Sequence, residues 1–304
     1  MTSFHSILCP VDFSDHSVQA FRLAAGLAGR GHGELTALAV AEPLLVEAAA
    51  TARYGAHYVE DELKKELQAL VSSEIPAGAA WAPATRLAVT TGSAHAAILE
   101  YAAAGKTDLI VMGTHGLGGY RKMVFGSVTE RVLRRSPVPV LVTPRLAHEV
   151  VRLSAAEPEF RMATVMAPVD LGPGSAQSVH MAAAMAASLG ASLLVVHVVA
   201  EVRAPAGLSQ IIPVQMELVQ ESARGQLRQL VADHAPGVRA DVKIGMGTPA
   251  DEIARLATEG DVGLIVMGLT GRDVATNPPG SVAYRVLTMA SVPVLAVPGE
   301  GRGR

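Results

Sequence analysis

The chain has 304 residues, half of them hydrophobic and 17% charged, with a formal net charge of −3. That length sets a prior of about two domains, the apolar share is ample for packed cores, and the absence of a long basic run argues against general nucleic-acid binding. A single cysteine, Cys9, excludes an intrachain disulfide and a thiolate metal cluster. The opening MTSFHSILCPVDFSDHS has no basic n-region and no long apolar segment, so it does not read as a signal peptide. The most apolar stretch, around Met181 to Val199, contains Ser188, Gly190, Ser192 and His197 and reads as a helix followed by a strand, not a membrane span. The expected compartment is the cytoplasm.

Taken in order, Ser6 to Cys9 is a short strand ending at Pro10-Val11-Asp12. Cys9 reads as a small buried hydrophobe. Ser14 or Asp15 caps a helix carrying Val18, Phe21, Leu23 and Leu27, ended by Gly29 and Gly31. Glu34 to Ala41 is the second strand, and Pro43 opens a loop through Ala50. Tyr58 to Ile75 is an amphipathic helix with Leu63, Leu67, Leu70 and Val71 on one face. Thr85 to Thr90 is the third strand, Ala94 to Ala104 a helix, and Leu109 to Met112 the fourth strand. After a glycine loop, Ser127 to Arg135 reads as a short helix, and Val138 to Val142 as the fifth strand. Alternating strands and helices imply βαβ units and a mainly parallel sheet. In such sheets ligands bind at the carboxyl ends of strands.

The pattern then recurs. Residues 146–161 lack periodicity and read as a linker between a domain over 1–145 and one over 162–298. Pro168-Val169-Asp170 echoes Pro10-Val11-Asp12, Gly247-Thr248 echoes Gly92-Ser93, and Leu264 to Gly268 echoes Leu109 to Gly113. The offset is 158 residues for the aspartates and 155 for both glycines. One duplicated domain accounts for the chain.

The most informative stretch is TDLIVMGTHGLGGYRKMVFGSVTERVLRRSPVPVLVTP, residues 107–144. A buried strand, a loop rich in glycine and a helix start form a phosphate-binding arrangement. Glycines let backbone amides approach an anion, and the helix start adds unpaired N–H donors with partial positive charge. The spacing is Gly113-x2-Gly116-x9-Gly126-Ser127. It is neither a Walker A loop nor a dinucleotide fingerprint. Position for position it resembles the G-x2-G-x9-G-(S/T) nucleotide loop of the universal stress protein family, and with the repeat the chain resembles a tandem member.

That resemblance implies an α/β fold: two tandem doubly wound five-stranded parallel-sheet domains of the adenine-nucleotide alpha-hydrolase-like type, strand order 3-2-1-4-5. It implies ATP or another adenine nucleotide as ligand, mainly in the first domain, with Mg2+ bridging the phosphates. Carried over, Pro10, Val11 and Asp12 line the adenine pocket with the backbone of Val40. Met112 and Gly113 flank the ribose, and Gly116, Gly126, Ser127 and the amide of Val128 hold the phosphates. Arg121 and Lys122 are counter-charges or solvated loop cations. Asp12 is a ligand for the adenine amine or a ribose hydroxyl, or a turn residue only.

The second copy offers Pro168, Val169, Asp170, Val198, Met267, Gly268, Gly271, Gly280, Ser281 and Val282. Its loop has eight residues between Gly271 and Gly280 where the first has nine, and Pro278, Pro279 and Asp273 remove amide donors and add negative charge. A weaker, altered or empty second site is expected. His115 lies inside the first loop and reads as a solvated or phosphate-donating side chain, so no catalytic residue is assigned. The ten histidines show no H-x-x-x-H pair, and no metal site is assigned.

The leading expectation is an ATP-binding stress-response regulator or scaffold. The alternatives are a slow ATPase, an adenylyl transferase (which Val11-Asp12-Phe13-Ser14-Asp15 argues against), or an interaction protein working through its edge strands. The fifth strands are expected to pair within the chain as a pseudo-dimer, or between chains as a homodimer. No membrane or nucleic-acid partner is expected.

Overall fold

The computed structural model describes residues 4–52, 54, 57–114, 126–144, 149–200, 212–269 and 281–299. The chain divides into two compact units, one over Ser3–Arg161 and the other over Met162–Glu300.

The N-terminal unit is built from β1 (Ser6–Pro10), α1 (Asp15–Arg30), β2 (Glu34–Ala41), α2 (Pro43–Thr51), α3 (Tyr58–Glu74), β3 (Ala84–Thr91), α4 (Ala94–Ala104), β4 (Leu109–Gly113), α5 (Ser127–Arg135), β5 (Val140–Thr143), β6 (Val151–Leu153) and β7 (Pro158–Phe160). Five parallel strands follow the order β3-β2-β1-β4-β5. β1 pairs with β4 through Ile7 with Leu109 and Leu8 with Ile110, which puts the two motif-bearing strand ends side by side. Every residue of β4 and β5 is buried, and a parallel sheet covered on both faces requires such continuous apolar runs. α1 packs across β1, β2 and β4 and buries Phe21, Leu23 and Ala24 completely.

The C-terminal unit repeats the plan with β8 (Thr164–Pro168), α6 (Ser175–Leu189), β9 (Ser192–Val199), α7 (Ile212–His234), β10 (Ala240–Met246), α8 (Pro249–Glu259), β11 (Val262–Gly268), α9 (Ser281–Met289) and β12 (Val294–Val297). Its parallel strands follow the order β10-β9-β8-β11-β12, the same 3-2-1-4-5 arrangement.

Three segments differ from the sequence reading. The stretch after Pro43, read as a loop, is the helix α2. Pro43 stands at its start, where a missing N–H costs nothing, and Leu, Glu and Ala follow as good helix formers. Its burial gives no amphipathic signal, since none of its residues is buried. The fifth strand begins at Val140 instead of Val138. Pro137 and Pro139 cannot donate to a ladder, and Val138 is held in a turn by its amide bond to Ser136 Oγ at 3.2 Å. Within the linker segment, β6 and β7 form an antiparallel hairpin that packs on α1. Val151, Leu153 and Phe160 cover the bare backbone of Gly26, and the Trp81 indole donates to the Ser154 carbonyl at 2.7 Å. These contacts join residues far apart in sequence, so nothing local announces the hairpin.

Gly29 lies inside α1 and does not end it. A Cβ there would come within 2.5 Å of the Trp81 ring, so glycine is what lets the indole close on the helix. Gly190, by contrast, ends α6 in the left-handed conformation at φ 68°.

Candidate functional site

At the carboxyl end of β1 the chain turns sharply. Val11 extends the pairing with β2 by donating to the Leu38 carbonyl at 2.8 Å. Asp12 follows, and then Phe13 adopts φ 63°, a left-handed conformation that a bulky side chain rarely takes. The Asp12 carboxylate holds this turn. Its Oδ1 accepts the Ser14 hydroxyl at 2.6 Å and the Ser14 amide at 3.1 Å. Ser14 in turn caps α1 by accepting the Ser17 amide at 3.3 Å. Asp12 is therefore a turn organiser in this structure. Its charge also reaches Cys9: burial pushes the Cys9 thiol far above its ordinary range, and the nearby Asp12 carboxylate adds to the shift. Cys9 is a buried, protonated core residue.

The glycine loop between β4 and α5 lies outside the described residues, with Gly116, His115, Arg121 and Lys122, but the residues at both of its ends are described. Thr114 donates to the Thr143 carbonyl at 3.1 Å, and Gly126 donates to the Thr114 carbonyl at 2.8 Å. The Gly126–Thr114 bond thus joins the two ends of the loop, and the Thr114–Thr143 bond ties its start to β5. Thr129 Oγ1 donates to the Gly113 carbonyl at 2.8 Å and ties α5 to the end of β4. Gly113 fits closely: a Cβ there would lie 2.9 Å from His16 Cβ and 3.0 Å from the His16 carbonyl oxygen. Only glycine lets the start of α1 approach this strand end.

These elements surround a cavity of about 900 Å³, within the range of small-molecule and cofactor sites. Pro10, Val11 and Asp12 line it, with Val40, Met112 and Gly113, and so do Gly126, Ser127 and Val128 at the start of α5. These nine residues read from the first copy are thereby brought together, while Gly116, Arg121 and Lys122 lie outside the described residues. α5 begins without a side-chain cap, and so does α4 behind Ser93. Both helix starts line the cavity, where first-turn amides carry unpaired donors and partial positive charge.

The structure adds residues that the sequence reading did not assign. Leu44 and Leu45 of α2, Ser93 and His95 at the start of α4, and Arg131 of α5 all line the cavity. The imidazole Nδ1 of His95 lies 2.9 Å from Ser93 Oγ. Arg131 had a readable signal, since it is four residues beyond Ser127 and therefore on the same helix face.

The C-terminal unit builds the same turn. Val169 donates to the Val196 carbonyl at 2.8 Å, Leu171 has φ 59°, and Asp170 Oδ1 accepts the Gly172 amide at 2.9 Å and the Ser175 hydroxyl at 3.3 Å. Pro168, Val169 and Met267 are buried, Val198, Gly268 and Val282 half-buried. Gly271 and Gly280 lie outside the described residues, and of Ser281 only its place at the start of α9 is described. His197, in the register position of Ala39, donates from Nδ1 to the Val169 carbonyl at 2.8 Å, which fixes that tautomer. Among the described residues no group of three or more His, Cys, Asp and Glu side chains is arranged to hold a metal ion. No described helix is long and apolar enough to cross a membrane.

The family model described as the universal stress protein family matches residues 3–144 and 162–298. The chain belongs to the universal stress protein family. It is a tandem member, one family region per unit. A universal stress protein of Methanocaldococcus jannaschii is 30% identical over 144 residues, covering 47% of this chain and 83% of that protein. One of Thermus aquaticus is 31% identical over 140 residues, covering 46% and 98%. Each therefore aligns with about half of this tandem universal stress protein. Among solved structures, a universal stress protein of Pseudomonas aeruginosa shares the fold with TM-score 0.65 at 19% identity, over 99% of this chain and 95% of the other. One of Archaeoglobus fulgidus does so with TM-score 0.62 at 20% identity, over 96% of each.

Proposed function

We propose that the N-terminal unit binds an adenine nucleotide, ATP above all, and that the protein acts as a nucleotide-responsive regulator or scaffold in a cytoplasmic stress response. The observation that carries this reading is the cavity at the strand ends. It joins an apolar floor at Val11, Val40 and Met112 to the bare start of α5 at Gly126, Ser127 and Val128. An apolar wall suits a base, and amides without a side-chain cap suit phosphates. In this reading the Val40 backbone meets the adenine edge, Met112 and Gly113 flank the ribose, and Ser127 with the first amides of α5 holds phosphate. Mg2+ accompanies the phosphates as their counter-ion. In the C-terminal unit the turn at Asp170 is built but the loop is one residue shorter, so nucleotide binding there is weaker or lost. The fifth strands, β5 and β12, are the proposed pairing surfaces for a pseudo-dimer or homodimer.

A thermal or denaturant melt tests the reading. Trp81 is the chain's single tryptophan and lies in the N-terminal unit, so its fluorescence reports that unit. ATP at about 100 times its dissociation constant should stabilise the Trp81 transition by about 2.7 kcal/mol. An unchanged transition at millimolar ATP would leave the cavity without its proposed ligand.

A further inference from the structure

The two units carry the same arginine in two electrostatic settings. Equivalent backbone bonds set the correspondence. Gly92 donates to Ala41 as Gly247 donates to Val199, and Thr114 donates to Thr143 as Leu269 donates to Val297. Counting from Gly92 and Gly247, Ala96 corresponds to Asp251. Counting from Ser127 and Ser281, the first residues of α5 and α9, Arg131 corresponds to Arg285. In the C-terminal unit Arg285 Nη2 lies 3.0 Å from Asp251 Oδ1, an exposed ion pair between α9 and the first turn of α8. In the N-terminal unit the position of that carboxylate is Ala96, the first turn of α4 has no acidic residue, and among the described residues Arg131 forms no ion pair. The loop sequence over 115–125 contains no Asp or Glu that could supply one. Arg131 lines the cavity beside Ser127, on the same helix face.

We propose that Arg131 is the phosphate-selecting cation of the N-terminal cavity, and that Asp251 cancels its counterpart in the C-terminal unit. The proposal rests on the nucleotide reading given above. An exposed ion pair adds little stability, but it does remove a guanidinium from service to a ligand. A guanidinium with no carboxylate partner can bond two phosphate oxygens at once, and such charge-assisted bonds are stronger than neutral ones. The α5 amides and Ser127 hold phosphate near the helix start, and Arg131 favours ligands with more phosphate charge over the bare nucleoside.

The test uses the full chain and two probes, ATP and adenosine, titrated against the wild type, Arg131→Gln, Ala96→Asp and the double variant. Ala96→Asp installs the C-terminal unit's pairing in the N-terminal unit, and an acidic residue in a first helical turn favours folding. Arg131→Gln is expected to weaken ATP by about tenfold or more and leave adenosine within about twofold. Ala96→Asp should weaken ATP in the same direction by a smaller factor, about two- to fivefold, and in the double variant it should add less than about twofold to the loss from Arg131→Gln, because both changes remove one interaction. The Trp81 transition without ligand shows that each variant is folded. Unchanged ATP affinity in folded Arg131→Gln, or an equal loss for adenosine, overturns the role of Arg131 while leaving the nucleotide reading intact. A wild type that binds neither probe overturns both.

Discussion

Gly113→Val should abolish tight nucleotide binding, with a loss of at least about tenfold in ATP affinity. The cause is steric and local. Gly113 ends β4, its carbonyl accepts Thr129 Oγ1 of α5, and its Cα faces the His16 backbone of α1. A Cβ alone would sit 3.0 Å from the His16 carbonyl oxygen, and a valine adds two methyl groups to that contact. The strand end, the start of α1 and the start of α5 cannot all keep their places, and these three elements form the proposed ribose and phosphate walls. Forcing bulk into a close-packed contact also costs about 1–3 kcal/mol of stability. Binding should be measured by titration below the variant's melting point, so that a folded unit is tested. Gly113→Val with wild-type ATP affinity would show that the cavity walls do not hold the ligand.

Phe21→Ala should destabilise the N-terminal unit by about 3–5 kcal/mol. Phe21 is fully buried on α1, the helix that packs on β1, β2 and β4, and its removal leaves a void that close-packed neighbours fill only in part. The chain divides into two compact units, so a single two-state transition for the whole is not assumed. Trp81 fluorescence isolates the relevant transition, and its denaturant midpoint should fall without a matching fall for the C-terminal unit. A loss below about 1 kcal/mol would show that α1 is not the principal cover of this sheet.

Much of this architecture was legible because parallel sheets buried on both faces leave apolar runs such as Leu109 to Met112, and because the runs recur after 155 residues. The adjacency of strands one and four was carried by the family resemblance and is seen in the pairing of Ile7 with Leu109. What escaped was tertiary in origin. α2 buries nothing, so it leaves no 3.6-residue apolar period to detect. The β6–β7 hairpin depends on Gly26 and Trp81, both remote in sequence.

The site divides in the same way. Gly113 and Gly126-Ser127 were picked out by glycine spacing, whereas Pro10, Val11, Asp12 and Val40 were carried over from the family resemblance. Ser93 and His95 reach the cavity only through the folding of α4 beside α5, whereas Arg131 was within reach of the sequence as the residue four beyond Ser127 on one helix face. Asp12 was legible as a residue with a role at the strand end, but the choice between ligand and turn residue was not. Its bonds to Ser14 show the turn role directly. The contrast between Arg131 and Arg285 was present in the alignment of the two halves, yet it acquires meaning only when Asp251 is seen 3.0 Å from Arg285.

The most direct test of the central claim is nucleotide content. The protein is purified without added nucleotide and denatured, and released adenine nucleotide is quantified against protein, with ATP re-addition if none is found. The account predicts about one nucleotide per chain, held by the N-terminal unit and lost in Gly113→Val. Two per chain would contradict the impaired C-terminal site, and none by either route would contradict the claim that this universal stress protein binds ATP.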